Sequence, residues 1–427
     1  MIIRFCLYSI LKNLRFFDPF LAIYLLDAGF SYTEIGGMLG CQRLVTAILE
    51  IPSGVLADRW GRRRVLTSSF LLHTIALVVL AIASQSAEKP EVIWFFIGLC
   101  IFGGGEALRE GCHKAMMLDY LEYHGQPERA TSLLSVTRTF SKMSSALAGL
   151  FAGGLLFLFR DYSTLFWLSA AASAGGAVLI ISYPKYLEGE CQRQRTSTID
   201  AAIAYESKLI TLIRNARMWP MLLRSVIYES QVEIILQMFL QPFLRLGLGA
   251  AGISIISPSG VDSVRGTGAL IVGANELFCD GLGAVGARNS AKLESKVGNR
   301  LRAIRWIVWA TLLCTVLVGL CALRVESWFW PGLVIIGLIT LLQNIRRPIY
   351  VSALNDVANK PLRATILSID NQATALATAI LMPVMGLAAD RWGLWTICAF
   401  SAVILASGIA CRHREHEAYD ALSTSKA

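Results

Sequence analysis

Charge is what this sequence has least of. Of its 427 residues only 16% are Asp, Glu, Lys or Arg, while 55% are hydrophobic; a soluble domain carries about 25% charged residues. Mean hydropathy is +0.56. The chain lacks the polar surface that water demands, which excludes an ordinary soluble globular protein. Material for metal and redox chemistry is scarce as well. There are 5 His and 10 Cys. No Cys-x-x-Cys pair occurs, and Cys6, Cys41, Cys100, Cys279, Cys314 and Cys398 sit inside apolar runs as small apolar residues. "HREHE" at 413–417 reads as solvated charge in a tail rather than as a metal site. The triple glycine at 103–105 is followed by no Lys-Ser/Thr and is not a phosphate loop. No nucleophile–base pair stands out, so neither an enzyme nor a cofactor is expected. The net charge of +9 raises the question of nucleic acid, which depends on where the charges lie.

Apolar stretches of about 20 residues are plentiful, the length that crosses a ~30 Å hydrocarbon core as a helix. They predict an all-α membrane protein with twelve transmembrane helices in two pseudo-symmetric six-helix bundles. The expected spans are 5–26, 33–56, 65–84, 91–113, 132–158, 163–183, 219–244, 268–287, 304–323, 328–346, 363–387 and 393–411. The first is expected to be a membrane helix rather than a cleaved signal peptide, since no small-residue cleavage site follows it. The polar segment 184–218 is the expected cytoplasmic loop between an N-terminal bundle, 1–183, and a C-terminal bundle, 219–412, with a cytoplasmic tail at 413–427. The Gly/Ser-rich stretch 246–267 reads as an external, flexible insert.

Lys and Arg gather in the loops on the side of the termini, several-fold over the opposite loops. The positive-inside rule then places both termini in the cytoplasm of a multi-pass protein of the plasma (inner) membrane. The net positive charge is thereby a topology signal, and nucleic acid is not an expected partner. "PERAT" at 127–131 recurs as "PLRAT" at 361–365, each in a loop opening a span. This internal repeat supports two related halves.

Several spans carry polar stripes. Span 1 has Arg15 and Asp18 beside Pro19, which can kink a helix. Span 4 has Glu106, Arg109, Glu110 and His113 on one helical face. Span 5 has Arg138, Ser141, Lys142 and Ser145; span 7 has Glu229, Glu233, Gln237 and Gln241, each four apart; span 8 has Asn275, Glu276 and Asp280. Span 10 has Asn344, and span 11 has Asp370, Asn371 and Thr374. A charge facing lipid costs about 2.5–3.5 kcal/mol on insertion scales, so these groups are expected to line a shared water-filled interior. The first half sets Arg15, Arg109, Arg138 and Lys142 against Asp18, Glu106 and Glu110. The second sets Glu229, Glu233, Glu276, Asp280 and Asp370 against Arg224 alone. Either a basic wall faces an acidic wall around a polar or charged solute, or the two walls pair and hold a gate shut; a purely structural Glu–Arg pair in span 4 is a third option.

Between spans 2 and 3 runs "GVLADRWGRRRVL" (54–66). Gly54 suits a close helix approach, Asp58 a helix cap or a cationic partner, and Gly61 a tight turn. The stretch resembles the signature loop of the major facilitator superfamily, G-x-L-A-D-R-x-G-R-[RK]-x-x-L, as do "LEIPSG" (49–54) and "RATILS" (363–368) its bacterial, often exporting, members. The resemblance implies a cytoplasmic gate latch built from Gly54, Asp58, Arg59, Gly61, Arg62 and Arg63, with Asp119 as the acid pairing with the loop. It implies that Arg109 corresponds to the family arginine of span 4, associated with proton handling. It also implies that spans 1, 4, 7 and 10 line a central cavity flanked by 2, 5, 8 and 11, the sets on which the stripes mainly fall; His73 in span 3 is an exception. The expected function is secondary active transport of a small-molecule substrate by alternating access, by a monomer in the lipid bilayer; the resemblance implies the efflux direction, and acids such as Asp18, Glu106, Glu229 and Asp370, placed where burial can shift a pKa, point to proton coupling. An importer of a polar nutrient or charged metabolite, and a non-transporting receptor of the same fold, are the alternatives. "ADRWG" occurs again at 389–393, without the arginines that follow the first copy. That copy falls in an expected outer loop, where Asp390 and Arg391 are expected to cap helix ends.

Overall fold

The computed structural model describes residues 1–85, 91–109, 112–126, 129–188, 219–256, 267–357 and 363–410. All regular secondary structure among them is helical: α1 (Ile2–Leu11), α2 (Leu21–Asp27), α3 (Tyr32–Trp60), α4 (Arg62–Ser84), α5 (Val92–Arg109), α6 (Cys112–Tyr123), α7 (Ala130–Phe159) and α8 (Ser163–Ile181). Then follow α9 (Trp219–Ile234), α10 (Leu240–Ala250), α11 (Gly268–Val297), α12 (Arg300–Leu323), α13 (Val325–Val357), α14 (Arg363–Trp392) and α15 (Trp395–Ala410). Among the described residues nine helical stretches are long and apolar enough to cross a membrane; α1 and Trp395–Ile409 are apolar but shorter. "HREHE", most of the polar segment 184–218 and residues 257–266 of the Gly/Ser-rich stretch lie outside the described residues.

The sequence sets these boundaries by recognisable means. Ser31 opens α3 with a reciprocal cap: its Oγ accepts from the Glu34 N–H at 3.2 Å, and its own N–H donates to Glu34 Oε2 at 2.7 Å. Asn299 opens α12 by accepting from the Arg302 N–H at 3.1 Å. The first expected span is not one helix. α1 stops at Leu11, a 3-10 turn covers Asp18–Phe20, and α2 follows. Pro19 withholds a backbone N–H there, and side chains replace the lost ladder: Asn13 donates to Ser9 O (2.7 Å) and Ser141 Oγ (2.6 Å), and the Phe16 N–H donates to Ser169 Oγ (3.0 Å). Between α9 and α10 the chain makes a π turn, Ile235–Phe239. Four-residue steps drift about 40° per step round an α-helix of 3.6 residues per turn, and the wider π turn offsets part of that drift for the stripe Glu229, Glu233, Gln237, Gln241.

The chain divides into two compact units, Met1–Thr198 with Leu248–Asp280, and Ile199–Gly247 with Gly281–Ala427. The first unit packs around Phe5, Val65, Phe70, Met116 and Ile180; the second around Leu222, Tyr350, Leu354 and Ile366, with a smaller cluster at Ala303, Ile307 and Ile349. Large apolar side chains also stand outward, as a bilayer solvent permits. All ten Trp (60, 94, 167, 219, 306, 309, 328, 330, 392 and 395) are exposed. Trp60, Trp219, Trp392 and Trp395 sit at helix termini, where amphipathic rings meet the membrane interface.

Candidate functional site

In the first unit the polar side chains converge on one carboxylate. Glu106, on α5, contacts Arg15 from the break after α1, and Arg109 one turn along its own helix donates to it at 2.5 Å. His73 Nε2 from α4 lies 3.2 Å from Glu106 Oε1. Arg15 also reaches Asp18 at 3.7 Å and lies over the Phe102 ring at 4.9 Å. Glycine makes this cluster possible. A Cβ on Gly103 would stand 2.5 Å from Gln42 O of α3, and one on Gly105 would stand 2.8 Å from the His73 ring of α4. The triple glycine therefore lets α5 press against both neighbours and brings His73 to Glu106. His113 does not share the cluster. It is buried, stacked on Tyr8 with centroids 3.5 Å apart, and its Nε2 is 3.4 Å from Tyr183 Oη. Glu110 lies outside the described residues.

A second group in this unit joins α7 to the first part of α11. Lys142 Nζ donates to Asp280 at 3.0 Å. The two helices meet closely, since a Cβ on Gly149 would stand 2.7 Å from the Glu276 side chain and one on Gly153 would stand 2.5 Å from Ala269 O. Asn275 is buried on the same segment, while Arg138 is exposed.

At the signature loop, α3 ends at Trp60 and Gly61 carries φ +91°, its N–H bonding to Ala57 O at 3.1 Å. Arg62, the first residue of α4, forms an ion pair with Asp119 of α6, the pairing expected for that acid. Arg63 donates to Tyr183 O at 2.7 Å, and Arg59 is exposed. The Asp58 side chain lies outside the described residues. Gly54 is not the close-approach point expected of it: it is exposed, and an added Cβ would meet no described atom within 4 Å. That role falls to Gly103 and Gly105.

The second unit has its own ion cluster, and half of it went unseen in the sequence. Arg346 donates to Glu229 Oε1 at 2.7 Å, and Gln343 donates to Glu229 Oε2 at 3.2 Å. Arg347 lies 3.5 Å from Glu229 and donates to Asp370 at 3.1 Å and to Asn371 at 2.8 Å. Tyr350 donates to Asp370 at 3.2 Å. The Arg346 guanidinium sits over the Tyr228 ring at 4.1 Å and the Tyr350 ring at 4.9 Å. Glu233 accepts from Gln237 at 3.3 Å, and Asn344 donates to Thr340 O at 2.9 Å with its side chain against Gly283 of α11.

The expected contrast of a basic first half against an acidic second half with Arg224 alone is thus corrected. Glu229 and Asp370 are matched inside the second unit by Arg346 and Arg347, and Asp280 is matched inside the first by Lys142. The expected span 10 ended at 346, so Arg346 stood on its last residue and Arg347 outside it, ahead of Pro348, and the residue before a proline normally leaves the helix. α13 instead runs through Pro348 to Val357, as membrane helices do when neighbours satisfy the freed backbone groups.

Membrane-length helices enclosing buried ion clusters define a polytopic membrane protein of the transporter class. The chain belongs to the Major Facilitator Superfamily, whose sequence profile matches residues 2–374. That is a family of transporters, not of enzymes. The fold is shared with solved transporters. A nucleoside transporter, NupG, superposes with a TM-score of 0.70 at 14% identity, covering 96% of this chain and 98% of that one. A peptide transporter, POT, in complex with sulfate gives 0.68 at 15% identity over 98% and 95%. A D-xylose-proton symporter gives 0.65 at 13% over 96% and 96%. Among curated proteins, an uncharacterized transporter of Buchnera aphidicola subsp. Acyrthosiphon pisum is 23% identical over 196 residues, 45% of this chain and 47% of that protein. The multidrug resistance protein MdtH of Edwardsiella ictaluri is 26% identical over 204 residues, 47% of this chain and 44% of that protein. The chain spans less than half the length of these two relatives.

Proposed function

We propose that the protein is a secondary active transporter that moves a small solute across the plasma (inner) membrane by alternating access of two six-helix bundles, 1–183 and 219–412. It works as a monomer with cytoplasmic termini, coupled to protons and in the efflux direction. The observation that carries this reading is that each unit holds a partly buried carboxylate between arginines: Glu106 with Arg15 and Arg109, Glu229 with Arg346 and Arg347. A carboxylate that is protonated lets go of its arginines, and an anionic group of a solute can take its place. Exchange of that kind ties solute binding to proton binding. Arg62–Asp119 is the cytoplasmic latch of the first bundle, and Lys142–Asp280 with Asn275, Glu276 and Arg138 flanks the pathway. The match to a multidrug resistance protein over part of the chain supports export.

Inverted membrane vesicles containing the protein test this reading against a panel of labelled organic anions, zwitterions and cations, with and without an imposed proton gradient. Gradient-driven accumulation of a panel member, lost in Glu229→Gln when vesicles carry equal amounts of folded protein, is the expected result. Accumulation indifferent to the gradient overturns proton coupling. Uptake only in right-side-out vesicles overturns the direction.

A further inference from the structure

One cleft of the second unit opens beside the ion cluster described above and shares Tyr228, Arg346 and Tyr350 with it. It lies where α9 begins, α12 begins and α15 ends, with α13 as its floor. Arg224, Arg305 and Arg346 line it, with Trp309, Leu405 and Ile409 among its apolar walls, and among the described residues lining it none is acidic. Arg346 is the informative member. It is 2% exposed, its terminal nitrogen is engaged by Glu229, and its Nε is buried without a hydrogen-bond partner. Buried polar groups are normally satisfied, and guanidinium forks match phosphate oxygens in geometry and charge. The rest of the cleft is built for a tail. Trp309 is 54% exposed on α12, a helix long and apolar enough to cross a membrane. Trp309, Leu405 and Ile409 are apolar members of the same lining.

We propose that this cleft binds an anionic phospholipid, with the headgroup phosphate on Arg224, Arg305 and Arg346 and an acyl chain along Trp309, Leu405 and Ile409. The recognised chemistry is a phosphate with no headgroup cation to offset its charge, joined to an apolar tail. A free inorganic phosphate would satisfy the arginines and leave the apolar wall uncovered. Because Arg346 also holds Glu229, a lipid phosphate at its Nε stands beside the ion cluster of the same unit. The site requires only that the chain be membrane-embedded and does not rest on the transport reading.

Native mass spectrometry of the full-length protein, released from mixed micelles with equal phosphatidylglycerol and phosphatidylcholine, tests it. Phosphatidylglycerol is expected to be retained preferentially. Arg305→Gln is expected to lower its retention about fivefold, the effect of one basic residue at an anionic lipid surface, and Arg224→Gln/Arg305→Gln to lower it further. Phosphatidylcholine retention stays unchanged, and Arg288→Gln, a charge removed away from the cleft, has no effect. Equal retention of the two lipids, or wild-type retention in both cleft variants, overturns the proposal. Displacement of phosphatidylglycerol by millimolar inorganic phosphate overturns it in favour of a soluble anion. Arg305 is only half-buried, so its single variant keeps the test open if the double variant does not fold.

Discussion

Gly105 and His73 fit against each other: the imidazole occupies the space a Cβ on residue 105 would need, 2.8 Å from its Nε2. Ser69 adds a second tie between the same helices, donating to Gly105 O at 2.6 Å. Gly105→Ala is therefore expected to destabilise the detergent-purified protein by about 1–3 kcal/mol, the usual cost of overpacking, read as a lowered melting temperature. In a His73→Ala background the same substitution should cost less. An unchanged melting temperature would show that α4 and α5 do not meet at this point.

Glu229→Gln removes the charge opposite Arg346, a side chain only 2% exposed. Breaking a buried pair from one side costs about 3–5 kcal/mol, so a large loss of thermal stability is expected. Lys142→Gln breaks a pair whose cation is 45% exposed and should cost about 0–1 kcal/mol. Comparable melting temperatures for the two variants would contradict the difference in burial.

Cys41 and Cys100 face each other from α3 and α5 with sulfurs 3.1 Å apart. Mild oxidation with copper phenanthroline, two copper(II) ions taking one electron each and the two thiol protons going to solvent, should join them in an intramolecular disulfide. Peptide mapping by mass spectrometry checks it, and Cys100→Ser should abolish the linkage. A 41–100 linkage that never forms, while other cysteines oxidise, would mean that the two helices are placed differently.

Arg62 and Asp119 are each partly exposed, 26% and 35%, so their pairing is worth at most about 1 kcal/mol to stability. Its effect is expected in transport instead. Arg62→Asp and Asp119→Arg should each impair vesicle transport, and the swapped double variant should recover activity, a coupling that a double-mutant cycle measures. Additive losses would assign the two residues to separate tasks.

Much of this was legible in the sequence, for identifiable reasons. Membrane-length helices follow from apolar runs, and Asp119 was matched to the basic loop through the signature motif; Arg62 of that loop contacts it. The stripe on span 4 gave Glu106 and Arg109 as neighbours because they lie one helical turn apart. What escaped notice depends on other helices. His73 looked isolated on an apolar span, since only the glycines of α5 reveal what it touches. Arg346 stood on the last residue of the expected span 10 and Arg347 beyond it, although "RRPIY" also holds Tyr350, a ring beneath Arg346. Helix breaks such as the one before Pro19 are visible in sequence, but not the Ser141 and Ser169 hydroxyls that stabilise it.

The two "ADRWG" segments turn out to build the same joint. Each closes a long helix, and in each the glycine takes a left-handed backbone, φ +91° at Gly61 and +98° at Gly393, with its N–H bonded to the alanine four residues before. The pentapeptide is thus a hinge-forming word that the chain uses twice. Only the first copy is followed at once by arginines, and only there does the next helix carry a cation to an acid on another. A search keyed to those five letters would find two loops and rank them equally. One keyed to the arginine after the glycine, and to an aspartate about sixty residues on, would find one.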